Sequence, residues 1–357
     1  MNKIRDFLLP FDDKRDVLLD VCKGIAILLV VLGHYFQMTH TNFDDFFGFA
    51  FIYSFHMPLF TLLAGASAAF WIKKINFHDD YKSFAKALLK RVTKAFQHLI
   101  IPFFFWILFQ YFYINSDKEL ISYIWMVVKQ ADWGLWFLPL IFWCTAFICV
   151  FLLVIFFAYK VLKSSSNFER ISKLLLSINV QVLLMYIFWK VAKYLHLMPS
   201  IAGLQFVNYF HGGLFFYFLL GIVFYQAFVG TKFYLLRVVP YVLFFALVPY
   251  WDRLGTYNIS SDAKLLLSQG WFVRHYAFVV ALSGTLVFID LSRLIVSLNL
   301  RFLTRVITTL GVASLAIYAI HQYVLGFNPV WLAPLIIPVV IFRITGLYPP
   351  IKRVMFG

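Results

Sequence analysis

Acidic side chains are scarce in this sequence. Only 16 of 357 residues are Asp or Glu, and the two glutamates, Glu119 and Glu169, lie outside its apolar runs. Charge of either sign is low, at 13% of residues, where a soluble chain carries about 25%. With 62% hydrophobic residues and a mean hydropathy of +0.83, this excludes a soluble enzyme, a nucleic-acid binder and a disordered chain. Cysteine is equally sparse: Cys22, Cys144 and Cys149 all sit in or beside apolar runs without metal-ligand spacing. Neither a disulfide framework nor a metal site is therefore expected. No Gly/Ser linker, internal repeat or soluble domain of useful size interrupts the chain, so any chemistry must sit within the membrane domain.

What is present is apolar sequence in blocks. Read at the length needed to cross a bilayer, the blocks fall at roughly 21–39, 46–72, 96–114, 133–158, 174–194, 207–229, 233–250, 270–290, 306–326 and 329–346. The expectation is an all-α polytopic membrane protein of about ten transmembrane helices. It would form one domain over 1–357, with a cytoplasmic segment 1–20, a membrane domain 21–346 and a cytoplasmic tail 347–357. Segment 120–130 is too short to span and is read as interfacial or re-entrant. The first block follows a charged stretch and lacks a small-residue cleavage site, so it reads as an uncleaved span rather than a signal peptide. Of the 31 Lys and Arg, 23 fall on the side of the N-terminus and 7 on the other, Lys23 lying inside the first helix. Under the positive-inside rule both termini face the cytoplasm.

Ionisable groups inside spans are functional candidates, since each is costly in hydrocarbon. Carboxylates are nearly absent there: Asp20 and Asp290 mark cytoplasmic helix ends, Asp132 and Asp252 external ones. That counts against a proton-coupled transporter. Histidine is the exception, with His34, His56, His211, His275 and His321 in or near spans. Lys23 and His34 are eleven positions apart in DVCKGIAILLVVLGHYF. At ~100° per residue they share a face, and at 1.5 Å per residue they lie about 16 Å apart along the axis. A cation at the mouth and a titratable base deep inside suit a cytoplasmic anion whose reactive end reaches inward. The alternative is a Lys23 that snorkels to the interface, paired with Asp20, and a His34 satisfied in the core.

In the second block Pro58 cannot donate to the carbonyl of Ser54, so the helix should kink near His56. His56 is then either catalytic or a structural group bonding the freed backbone. Lys90, Arg91 and Lys94 crowd one basic helix end, as a topology signal or as a phosphate site. Ser314, Tyr318 and His321 recur at i, i+4 and i+7, one polar stripe. Trp133 and Trp136 open the fourth block, where an aromatic belt is expected anyway.

Together these segments resemble the acyltransferase family 3, transmembrane acyltransferases that modify surface glycans. The carriers, in the family's order, are Lys23 and His34 in the first helix, FHMPLFTLLAG, the basic KRVTK, WGLWFLPL and SLAIYAIH, over about residues 17–325. Three departures stand out: Lys23 where many relatives have Arg, Ala64-Gly65 in place of Ser-Gly, and Arg91-x-x-Lys94 in place of two arginines. The Lys-Gly-Ile-Ala form looks like the fucose 4-O-acetylase-like branch. The expected type is the membrane-only one, without a fused periplasmic hydrolase-like domain, as in O-antigen and capsule acetylases.

The resemblance implies transfer of an acyl group, most often acetyl, from cytoplasmic acetyl-CoA to a sugar hydroxyl of lipopolysaccharide O-antigen or capsule. The acceptor would be a glycan or lipid-linked glycan. The setting it implies is a bacterial inner membrane crossed many times. Lys23, Lys90, Arg91 and Lys94 are the candidates for the CoA phosphates. His34 is the candidate base or transient acyl carrier. His56, His321, Tyr318 and Ser314 are candidates for orienting thioester or acceptor, and Trp133, Trp136 and Arg274 for meeting the acceptor. The competing readings are a glycan-lipid transporter or flippase and a structural partner of a glycan assembly complex. Acyl group, acceptor and oligomeric state are not legible in the sequence.

Overall fold

A computed structural model describes residues 16–114, 116–129, 134–163, 169–195, 200–201, 204–205, 213–230, 235–251, 270–329 and 332–357, with backbone alone at 200–201, 204–205, 236 and 270–274. Among these residues the only strands are a two-residue antiparallel pair, Ser200–Ile201 with Leu204–Gln205. The rest of the regular structure is helical. Contacts divide the chain into two compact units, one of residues 1–63 and 227–347, the other of residues 64–226 and 348–357.

The first unit is built on α1 (Val17–Thr39), which starts where the Asp16 carboxylate accepts from the Leu19 N–H at 2.9 Å. It continues through α2 (Phe47–Tyr53) and the first part of α3 (His56–Ile72). The break between them at Ser54–Phe55 is the one Pro58 predicts, because Ser54 loses its i+4 donor. The unit is completed by α11 (Leu235–Leu247), α12 (Gly270–Ser297), α13 (Arg301–Val312), α14 (Ser314–Val324) and α15 (Ala333–Thr345).

The tightest packing in this unit is the crossing of α1 with α13. A Cβ at Gly24 would fall on the carbonyl oxygen of Ile307, and one at Gly311 on that of Asp20. Backbone meets backbone here, which only glycine permits. The pairing of 20 with 311 and 24 with 307 makes the crossing antiparallel and fixes the rotation of α1 about its axis. Asp290, in α12, takes Arg237 Nε at 2.9 Å and Nη2 at 2.5 Å on one oxygen, and Tyr241 donates to the other at 3.2 Å. A carboxylate inside an apolar helix is thus fully engaged.

The second unit contains the rest of α3, α4 (Tyr81–Ala95), α5 (Ile101–Tyr113), α6 (Leu120–Lys129), α7 (Phe137–Lys163), α8 (Glu169–Leu175), α9 (Ile178–Tyr194), most of α10 (Leu214–Gly230) and α16 (Pro349–Phe356). Its core is a continuous cluster drawn from α3, α4, α7, α9 and α10, including Phe84, Leu140, Ile148, Leu152, Trp189 and Phe218. A π turn at Phe96–Ile100 joins α4 to α5, where Pro102 cannot donate to His98 and the helix widens instead. The expected tail 347–357 carries α16, whose Met355 carbonyl accepts from Trp106 Nε1 at 2.8 Å.

Among the described residues five helices are long and apolar enough to cross a bilayer: α1, Phe47–Ile72, Tyr81–Tyr113, α7 and His275–Ser297. Two pairs, α8 with α9 and α13 with α14, each bend by 81° and raise the number to seven if each is one span. This is a multi-pass, helical membrane protein. The other three expected blocks coincide with α10, Arg237–Tyr250 and α15, each shorter than 18 residues. Such lengths reach only about 20–26 Å at 1.5 Å per residue, against a hydrocarbon core of about 30 Å.

Candidate active site

Lys23 and His34 lie on the one uninterrupted helix α1. With Gly24 turned to α13, both flank the crossing on the same side, at about −100° and −80° from Gly24 at 100° per residue. Both side chains are half-buried. The His34 Nδ1 lies 2.9 Å from Gln37 Oε1, one turn on. An amide oxygen only accepts, so Nδ1 is the protonated nitrogen and Nε2 keeps its lone pair.

The second histidine comes from α14, after the sharp bend at Ala313. The rings of His34 and His321 are 5.1 Å apart, centre to centre, tilted at 42°. His321 is fully buried. Its Nδ1–H donates to the carbonyls of Ile317 at 2.8 Å and Tyr318 at 2.9 Å. Its Nε2 has no hydrogen-bond partner among the described residues. Tyr318 stacks on His321 at 6.4 Å between ring centres. Ser314 opens α14 half-buried, without capping it. The polar stripe expected at 314, 318 and 321 therefore exists on one short helix, and its far end meets His34.

His56 is buried and uses Nδ1 on the Ile52 carbonyl at 3.0 Å, across the broken turn. Its ring packs on Tyr53 at 4.6 Å. A Cβ at Gly33 would come within 2.8 Å of Tyr53, so Tyr53 fills the space beside α1 next to His34. The contact is to the Ile52 carbonyl rather than to that of Ser54, which Pro58 leaves without its donor.

Of the remaining candidates, Lys90, Arg91, Lys94 and Trp136 belong to the second unit. Lys90 and Lys94 are exposed on α4. Arg91 is half-buried with its guanidinium 5.0 Å over the Trp71 ring. Trp136 is half-buried against the aromatic core at the start of α7. Trp133, His211 and the side chain of Arg274 lie outside the described residues. Among the described residues no group of three or more His, Cys, Asp or Glu is placed to hold a metal ion.

Sequence reasoning missed Gln37, Trp71 and Arg237. The signals were there in part. Gln37 is i+3 from His34, and Asp290 in an apolar helix calls for a cation. Nothing in the sequence pairs Trp71 with Arg91.

The first unit thus brings two imidazoles together beside the helix that carries Lys23. The acyltransferase domain of the acyltransferase 3 family matches residues 16–348. The chain belongs to that family. It is similar to Nodulation protein NolL of Sinorhizobium fredii, 39% identical over 98 residues, which is 26% of this chain and 24% of that protein. It is also similar to Nodulation protein NolL of Mesorhizobium japonicum, 34% identical over 98 residues, 26% of this chain and 23% of that protein. The matched stretch thus spans about a quarter of either relative. No solved structure matches the chain.

Proposed function

We propose that the protein transfers an acetyl group from acetyl-CoA, on the cytoplasmic side of a bacterial inner membrane, to a sugar hydroxyl of a surface polysaccharide. O-antigen or capsule, carried as a glycan or lipid-linked glycan, is the acceptor class the family resemblance favours, and its fucose 4-O-acetylase-like branch is the nearest description. The observation that carries the reading is the His34–His321 pair, 5.1 Å between ring centres. The lone pair of His34 Nε2 accepts the acceptor's hydroxyl proton as its oxygen bonds to the thioester carbonyl carbon. The C–S bond then breaks, and the proton passes from imidazolium to the departing thiolate. If His34 is acylated first, the same nitrogen carries the acetyl group before the sugar oxygen takes it. His321, held by its own backbone, offers a second acceptor for a donor on the substrate. Lys23 is the cation at the mouth of the α1 stripe. Lys90, Arg91 and Lys94 are phosphate contacts, and Ser314, Tyr318, Trp133, Trp136 and Arg274 meet the acceptor.

The test uses the detergent-purified chain and acetyl-CoA labelled in the acetyl group, with and without glycan acceptors. Thiol release that disappears in His34→Ala supports the reading, and label retained on the protein selects the acyl-histidine route. No release from wild type with any acceptor overturns it.

A further inference from the structure

The second unit holds a polar arrangement that the sequence does not announce. Arg91, on α4, lies with its guanidinium 5.0 Å over the indole of Trp71, near the end of α3. Two hydrogen-bond donors in this stack, Trp71 Nε1 and Arg91 Nε, are buried and have no partner among the described residues. Buried donors are almost always satisfied, and each left empty costs stability. The surroundings supply no acceptor in compensation: Trp71 and Val92 pack against the apolar core of the unit. Lys94, one turn beyond Arg91, and Lys90 beside it are exposed. A pair of orphaned donors with cationic neighbours calls for a ligand that only accepts and carries negative charge.

We propose that Trp71 and Arg91 together form a phosphate-binding site, with the indole N–H donating to one phosphate oxygen and the guanidinium edge to others. Stacking on Trp71 holds the guanidinium plane, and a planar fork suits a phosphate as an ammonium does not. The reading of Arg91 as an acyl-donor contact, on which this inference rests, gains Trp71 as a further binding residue. The phosphate comes from coenzyme A or from an anionic lipid headgroup, since both present the same oxygens.

The experiment measures coenzyme A binding to the full chain in phosphatidylcholine nanodiscs and thermal stability with and without added phosphatidylglycerol. It compares wild type, Trp71→Phe, Trp71→Leu and Arg91→Lys. A hydrogen bond to a charged group is worth roughly a tenfold change in affinity or more. Trp71→Phe keeps a ring under the guanidinium but removes the N–H, so coenzyme A affinity should fall about tenfold, and further in Trp71→Leu. If instead coenzyme A binding is unchanged and phosphatidylglycerol stabilises wild type but not Trp71→Phe, the phosphate is the lipid's. Folded variants that match wild type in both arms overturn the proposal. Should the Trp71 variants fail to fold, Arg91→Lys decides: it keeps the charge, so unchanged binding and lipid response overturn the site. A wild type that binds coenzyme A and releases no thiol sinks the acetyl-transfer reading and leaves the phosphate site standing.

Discussion

The two compact units answer one problem, a broken helix in an apolar setting, with different side chains. In the second unit α8 gives way to α9 at a bend of 81°, and Gln181 Nε2 donates to the Leu175 carbonyl at 2.8 Å. In the first unit α2 gives way to α3, and His56 Nδ1 bonds the Ile52 carbonyl at 3.0 Å. In α14, His321 bonds the Ile317 and Tyr318 carbonyls within its own helix. An amide that satisfies a carbonyl has no further chemistry to offer at neutral pH. An imidazole that does so keeps a second nitrogen with a lone pair. The first unit therefore has a base-capable nitrogen at its helix break where the second has an amide.

The largest effect should break the comparison on the reactive side. His34→Ala should reduce thiol release by about 10²–10⁴-fold, the usual range for a lost general base. The midpoint of thermal unfolding should stay near wild type, because the side chain is only half-buried. A parallel loss of stability would make His34 a packing residue. Next, the two backbone-bonding histidines should separate when each is replaced by the amide that suffices in the second unit. His56→Gln keeps a donor for Ile52 and should lower turnover less than tenfold. His321→Gln removes the orphaned lone pair and should lower it by about tenfold to a hundredfold. Equal effects would erase the distinction between them.

Smaller, and on stability alone, is Gly311→Ala. Its methyl meets the Asp20 backbone, which cannot move aside as a side chain can. A cost of about 1–3 kcal/mol is expected for such overpacking, read as a lower unfolding midpoint in denaturant. An unchanged midpoint would mean that α1 and α13 do not cross this closely.

The smallest effect lies in the second unit, at the start of its basic helix. Asp80 caps α4, accepting from the Ser83 N–H at 3.1 Å. The Ser83 hydroxyl and backbone N–H hold its carboxyl below the usual carboxylate range. The native pKa is thus the lower one. The cap's contribution is complete above the unfolded value of about 3.9 and lost as pH falls through the native value. The difference in thermal midpoint between wild type and Asp80→Ala should be small at neutral pH and vanish on acidification. A gap that grows on acidification would contradict the cap.

Much of this was legible in the sequence. Within the described residues each of the ten apolar blocks overlaps helix, the Pro58 break falls at Ser54–Phe55, and Ser314, Tyr318 and His321 share one short helix. These follow from local rules: hydropathy over a window, a missing N–H, a period of 3.6. The length of several blocks was less legible, because Pro240 and Pro338 inside apolar helices and the bends before α9 and α14 are tolerated only through tertiary contacts. The stack of Arg91 on Trp71 and the pairing of Asp290 with Arg237 were not legible at all, since residues 20 and 53 positions apart meet only after folding.

By itself, then, the sequence determined that this chain lives in a membrane, which helix carries Lys23 and His34 on one face, and where a proline opens α2 from α3. Only the tertiary structure decided that His34 meets His321, because that contact depends on two glycines letting α1 and α13 touch at their backbones and on the bend that turns α14 back. Spacing along a helix is a local property of the chain. The company a histidine keeps across helices is set by how closely those helices pack.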